Sequence, residues 1–185
     1  PYFFNSGLFN DGRSLAELGK FYAAAVKHAG IEFDMIYGPA YKGIPLASTM
    51  AIAFQEQYQI SYPFCFNRKE VKDHGEGGIT FGAEIEGRVL IIDDVISAGT
   101  SVRESMGIIQ SHNGVTAGVV VAVDRQERGQ GERSAIQEVE QDHGIKVISI
   151  INLDLIIDYL SGNTAMQAHL DAIHAYKAQY GANPA

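Results

Sequence analysis

The residues best suited to chemistry stand together in the stretch Val89-Leu90-Ile91-Ile92-Asp93-Asp94-Val95-Ile96-Ser97-Ala98-Gly99-Thr100-Ser101. An apolar run ends in two adjacent carboxylates, and a turn of small and hydroxylic residues then opens a helix. Small residues let backbone N–H groups come close to an anion, and a helix N-terminus aligns such donors with a favourable dipole. The hydroxyls of Thr100 and Ser101 add donors for phosphate oxygens. Two carboxylates at a strand end suit ribose hydroxyls or a hydrated Mg²⁺. Paired acids alone would be the solvated start of a capped helix. The strand before them and the glycine-hydroxyl turn after them favour an anion cradle. No Gly-Lys-[Ser/Thr] follows, so this is not a Walker loop.

Cations gather elsewhere. Asn67-Arg68-Lys69-Glu70-Val71-Lys72-Asp73-His74-Gly75-Glu76-Gly77-Gly78 is polar and glycine-bearing, with no apolar period, and reads as a mobile loop over about 68–78. By composition alone its lysines and His74 are ordinary charges, because Glu70, Asp73 and Glu76 interleave with them. Tyr41-Lys42 follows Gly38-Pro39-Ala40, and Arg125 follows the apolar run Val115 to Val123. The remaining histidines show no metal-ligand spacing. Cys65 lies within an apolar run and reads as inert packing.

The elements that must position these residues alternate along the chain. Ser14 with Glu17 matches a capping box for a helix whose apolar positions are Leu15, Leu18, Tyr22 and Val26, and Gly30 ends it. Strands are expected at 34–38, 62–66, 88–93, 115–123 and 146–151. Helices are expected at 42–57, 102–111 and 134–143, with more after the last strand. Such alternation implies an α/β fold: an open, mostly parallel twisted sheet flanked by helices. Tyr41-Lys42, Arg68, Asp93-Asp94 and Arg125 all fall just past carboxyl ends of strands, the edge where open parallel sheets bind ligands. The 185 residues suit a single domain, with no repeat or linker.

The bulk numbers exclude some classes. A formal net charge of −8 argues against nucleic acid as a partner, though a local cluster of lysines can still hold a small anion. No apolar run approaches the roughly 18 residues that cross a bilayer. One cysteine suits the reducing cytoplasm. The chain has no initiator Met and opens on Pro1-Tyr2-Phe3-Phe4-Asn5, which reads as the middle of an element.

Three stretches together resemble one family. The segment 89–101 is similar to the phosphoribosyl pyrophosphate motif of type I phosphoribosyltransferases. The segment 67–78 resembles the catalytic loop of the orotate phosphoribosyltransferases, and 38–45 resembles their pyrophosphate loop. The likeness runs from Pro1 to about Asp158 and is strongest to bacterial members. It implies transfer of the phosphoribosyl group to orotate, with Mg²⁺ present, yielding orotidine 5′-monophosphate and pyrophosphate for UMP biosynthesis. It assigns the ribose hydroxyls and the metal's water shell to Asp93 and Asp94, and the 5′-phosphate to Val95, Ile96, Ser97, Ala98, Gly99, Thr100 and Ser101. Pyrophosphate falls to Tyr41, Lys42, Arg68, Lys69, Lys72 and His74, with Lys69, Lys72 and His74 joining Asp93 and Asp94 as the catalytic set. Orotate falls to Phe3, Phe4, Ser97 and Arg125. The resemblance also implies a cis Ala40–Tyr41 peptide and a homodimer whose loop reaches over the partner's phosphates. Ser97 stands where the family usually has threonine. Family members also carry a helix and a base-contacting lysine ahead of the residues that match Pro1. The alternatives are another purine or pyrimidine phosphoribosyltransferase, and a non-catalytic nucleotide-sensing regulator on the same fold.

Overall fold

A computed structural model describes residues 4–72, 78–97, 99–129 and 131–182, with the side chains of Val71, Lys72 and Thr164 outside that description. Phe3, His74 and Ala98 therefore lie outside the described residues. The elements are α1 (Gly12–Ala29), β1 (Met35–Gly38), α2 (Gly43–Tyr58), β2 (Phe64–Lys72), β3 (Gly78–Gly82), β4 (Arg88–Asp93), α3 (Thr100–Ser111), β5 (Val115–Asp124), α4 (Ala135–His143), β6 (Lys146–Asn152), α5 (Leu153–Ser161) and α6 (Gln167–Tyr180).

The sheet order is β3-β2-β1-β4-β5-β6. All pairings are parallel except β2 with β3, which is antiparallel. Because strand side chains alternate between faces, each central strand feeds two cores. Ile36, Leu90 and Ile92 join Tyr22, Met50 and Phe54 on the face covered by α1 and α2. Met35, Tyr37, Val89 and Ile91 join Val102, Ile109 and Val139 on the face covered by α3 and α4. A smaller cluster of Leu153, Ile157, Leu170 and Ile173 ties α5 to α6. No helix among the described residues is long and apolar enough to cross a membrane.

From β1 the chain builds outward through β2 and β3 on one side, then returns to lay β4 on the other. Loops leaving the carboxyl ends of β1 and β4 therefore diverge. A crevice opens between them, the usual ligand position in an open α/β sheet.

Two expectations need correction. The helix of the Ser14–Glu17 pattern starts a turn earlier, at Asp11, whose carboxylate accepts from the N–H groups of Arg13 and Ser14, both at 2.8 Å. Glu17 instead pairs with Lys20 at 2.7 Å. A reciprocal capping box does form at α4, where Ser134 Oγ accepts from Gln137 N at 3.1 Å and Gln137 Oε1 accepts from Ser134 N at 2.8 Å. Second, Arg68–Lys72 is strand and not loop. It continues β2 into an antiparallel pair with β3, in register Asn67↔Thr80 and Lys72↔Gly78. This edge hairpin is charged and solvated, so it lacks the apolar alternation that reveals a strand. Cross-strand rings hold it instead, Phe66 lying 5.2 Å from Phe81 and the Arg68 guanidinium 5.2 Å from the Phe81 ring centroid.

Candidate active site

β4 delivers Asp93 and Asp94 to the crevice, and both are buried, at 8% and 3% exposure. Each of their oxygens is held. Asp93 Oδ1 accepts from the Asp94 N–H at 2.9 Å, and its Oδ2 accepts from Ser101 Oγ at 3.0 Å. Asp94 Oδ1 accepts from the Val95 N–H at 2.9 Å, and its Oδ2 from Lys42 Nζ at 2.7 Å and Ser6 Oγ at 3.1 Å. Tyr22, buried in α1, donates its hydroxyl to the Asp93 carbonyl at 2.9 Å. Burial pushes the Asp93 carboxyl up to about 6 against the lowering effect of its hydrogen bonds.

Past the acid pair, Gly99 caps α3 in the left-handed conformation at φ 68. No side chain caps that helix among the described residues, so its first N–H groups face the crevice, a ready position for an anion. Thr100 and Ser97 are exposed there. The Ser101 hydroxyl donates to Asp93 Oδ2, while Ser101 itself lines the crevice.

Across the crevice lies the loop after β1. The Ala40–Tyr41 peptide is cis, as the resemblance implies. The Ala40 N–H is held by Asn67 Oδ1 of β2 at 2.7 Å. Gly38 admits no side chain, since a Cβ there would lie 2.2 Å from the Gly43 carbonyl oxygen where the loop doubles back. Tyr41 is exposed, and Lys69 Nζ sits 5.1 Å from its ring centroid. Together Tyr41, Lys42, Lys69, Asp93, Asp94 and residues 95–97 and 99–101 line one cleft of about 550 Å³. Arg68 lines an adjoining depression with Lys69, Ile79 and Thr100.

The residues assigned to the base are less concentrated. Phe4 is half-buried, 5.8 Å from the Phe9 ring, and packs against the core under α1 and α2. Arg125 stands just past β5, outside the lining of the cleft, with Nη2 donating to Glu127 Oε1 at 2.6 Å and to the Tyr176 hydroxyl at 3.5 Å. Sequence reasoning missed Ser6, Tyr22, Asn67, Glu127 and Tyr176. Tyr22 could be seen only as one apolar position of α1, and the others carried no local signal.

A phosphoribosyl transferase domain model matches residues 6–150. The orotate phosphoribosyltransferase of Photorhabdus laumondii subsp. laumondii is 61% identical over 181 residues, covering 98% of this chain and 85% of that protein. The chain belongs to the orotate phosphoribosyltransferases. The enzyme of that name from Pseudomonas aeruginosa PAO1 is 59% identical over the same share of each chain. The crystal structure of the Francisella tularensis orotate phosphoribosyltransferase superposes with a TM-score of 0.86 at 38% identity, over 98% of this chain and 87% of that one. As in other open α/β sheets, the cleft of this member of the orotate phosphoribosyltransferase family sits between β1 and β4, where the strand order reverses. The phosphoribosyltransferase match covers the acid pair, the uncapped helix and the Tyr41-Lys42 loop alike.

Proposed function

We propose that the chain transfers the phosphoribosyl group of phosphoribosyl pyrophosphate to orotate, giving orotidine 5′-monophosphate and pyrophosphate in UMP biosynthesis. The observation that carries this reading is the single cleft in which a buried acid pair and an uncapped helix N-terminus face Lys42 and Lys69. The 5′-phosphate takes the N–H groups of the turn 95–101, where helix dipole and small residues favour it. Asp93 and Asp94 accept from the ribose hydroxyls, held in orientation by the donors already on each oxygen.

As the bond to C1 breaks, pyrophosphate gathers negative charge and the ribose ring becomes cationic. Lys42 then has two possible partners. Its ammonium lies on Asp94 at 2.7 Å, yet its side chain is 58% exposed, so it can turn to a pyrophosphate oxygen without leaving the cleft. Lys69 and, by family resemblance, Arg68, Lys72 and His74 add donors to the same charge. Positive groups fixed around a leaving anion stabilise the transition state more than the ground state. The acid pair faces the cationic ribose and stabilises it in the same sense.

Asp93 and Asp94 also suit Mg²⁺ held through its water. Asp93 Oδ1, Asp93 Oδ2 and Asp94 Oδ1 each accept from one protein donor and keep a lone pair for water, while Asp94 Oδ2 already accepts from two, which favours outer-sphere contact over direct ligation. Mg²⁺, when bound, would neutralise the pyrophosphate. The base end rests on Arg125, whose guanidinium matches a carboxylate through two parallel hydrogen bonds. Orotate has that carboxylate and uracil lacks it. We further infer a cytoplasmic homodimer whose 68–78 segment completes the partner's site.

The test is pyrophosphate release with orotate, uracil, adenine and hypoxanthine, each with and without Mg²⁺. Orotate with Mg²⁺ should turn over, and loss of the base carboxylate should cost several kcal/mol. Comparable turnover of uracil or a purine base would overturn the assignment.

A further inference from the structure

Arg125 does not stand alone at the end of β5. Its Nη2 donates to Glu127 at 2.6 Å and reaches the Tyr176 hydroxyl at 3.5 Å, the outer limit of a hydrogen bond. Arg125 and Glu127 are only 25% and 23% exposed in their side chains, so the pair is partly withdrawn from water and better fixed than a surface ion pair. Burial and then the neighbouring Glu127 carboxylate raise the Tyr176 phenol above its ordinary value.

Tyr176 comes from α6, far along the chain, and the segment after it is strapped across residues 126–128. Arg128 N donates to the Tyr180 carbonyl at 2.9 Å, and Ala182 N donates to the Gln126 carbonyl at 2.9 Å. Glu127 and Gly181 form an antiparallel bridge, and the Arg128 guanidinium donates to the Gln179 carbonyl. Gln126 holds the start of α5 from the other side. Its Nε2 donates to Asp154 Oδ2 and its Oε1 accepts from Asp154 N, both at 3.0 Å, while Lys177 of α6 pairs with Asp154 as well. The segment that bears Arg125 is thus gripped by the C-terminal arm through backbone and side chains together.

A guanidinium recognises a carboxylate only in one plane, and a long arginine loses rotamer freedom when that plane is fixed in advance. We propose that Glu127 and Tyr176 are positioning residues, which hold the Arg125 guanidinium in the plane that receives the carboxylate of the base. The C-terminal arm then sets affinity for the base and leaves the phosphoribosyl donor untouched, because the donor's cleft is lined by none of these residues. This inference rests on the reading that Arg125 grips orotate.

The experiment measures KM for orotate and for phosphoribosyl pyrophosphate in the full chain carrying Glu127→Ala, Glu127→Gln or Tyr176→Phe, each alone and combined with Arg125→Ala. Glu127→Ala should raise the orotate KM about tenfold, the scale of one lost hydrogen bond to a charged group, and Tyr176→Phe about threefold. Glu127→Gln, which keeps an acceptor, should recover most of that loss. The KM for phosphoribosyl pyrophosphate should stay within about twofold throughout. In the Arg125→Ala background neither substitution should add a further change, since each acts through that guanidinium. Should Glu127→Ala prevent folding, Tyr176→Phe removes a single oxygen and still decides. An unchanged orotate KM in both variants, an equal rise in both KM values, or the same rise persisting in Arg125→Ala would each overturn the proposal. If Arg125→Ala itself leaves the orotate KM unchanged, the assignment of Arg125 to the base fails first. Turnover of orotate by the wild type shows that the reaction assignment is separate.

Discussion

The proposed phosphoribosyl cradle and the proposed base end are built on different principles. The cradle takes most of its groups from one continuous stretch, Asp93 to Ser101, where a strand ends, a turn tightens and a helix begins. Its geometry follows from adjacent backbone conformations, as in the carboxylates of Asp93 and Asp94 that each accept from the next residue's N–H. The base end draws on Phe4 near the start, Arg125 past β5 and Tyr176 in the C-terminal helix, and only tertiary packing joins Arg125 to Tyr176. Local construction gives rigidity and a recognisable pattern. Distributed construction lets specificity change without disturbing the chemistry.

The largest expected effect tests the cradle. Asp94→Asn should lower kcat/KM by about a thousandfold, since it removes a buried charge aimed at a developing cation. A loss under about tenfold would mean that the cradle does not carry the chemistry, and the contrast would collapse.

A second experiment asks whether the comparison stops at one subunit. Inactive Lys72→Ala and Asp94→Ala proteins are mixed under conditions of subunit exchange. If the 68–78 segment serves the partner's cleft, equal mixing makes about half the dimers mixed, each with one intact site, and activity returns to about a quarter of wild type. Verified exchange without recovery would place cradle and loop in the same subunit.

The third outcome is a pH dependence of stability that should be found in the cradle. Asp93 has its folded-state value pushed up to about 6, above the ordinary 3.8, with burial as the main cause. A raised carboxyl favours folding while it is protonated. That contribution is whole below about pH 4 and is lost as the pH rises through about 6. The loss is on the order of 2–3 kcal/mol by pH 7.5. Asp93→Asn should therefore gain stability over wild type between pH 4 and 7.5 in urea unfolding, while activity falls. A constant difference across that range would show that the buried acid is not strained.

The smallest effect probes how self-contained the cradle is. Tyr22→Phe removes the hydroxyl bonded to the Asp93 carbonyl and should cost about 1 kcal/mol of stability. Its kcat/KM should change less than about fivefold. A larger loss would make α1 a working part of the site.

By itself the sequence determined the parallel α/β architecture and the strand–turn–helix stretch on which the proposed cradle is built. Buried strands such as Arg88–Asp93 are uninterrupted apolar runs bounded by turn residues, and the cradle's chemistry lies within thirteen consecutive positions, 89–101. Tertiary structure alone decided the rest. The β2–β3 pair is an exposed, charged edge, and Phe66 meets Phe81 across its two strands. Asp11 displaced Ser14 as the cap because its carboxylate accepts from the N–H groups of Arg13 and Ser14, which puts Ser14 inside the first turn, and local pattern does not rank two cap candidates a turn apart. Ser6 on Asp94 and Tyr176 on Arg125 join residues 88 and 51 positions apart. No periodicity or spacing encodes such contacts. They exist because the folded sheet brings the two ends of the chain to the same edge.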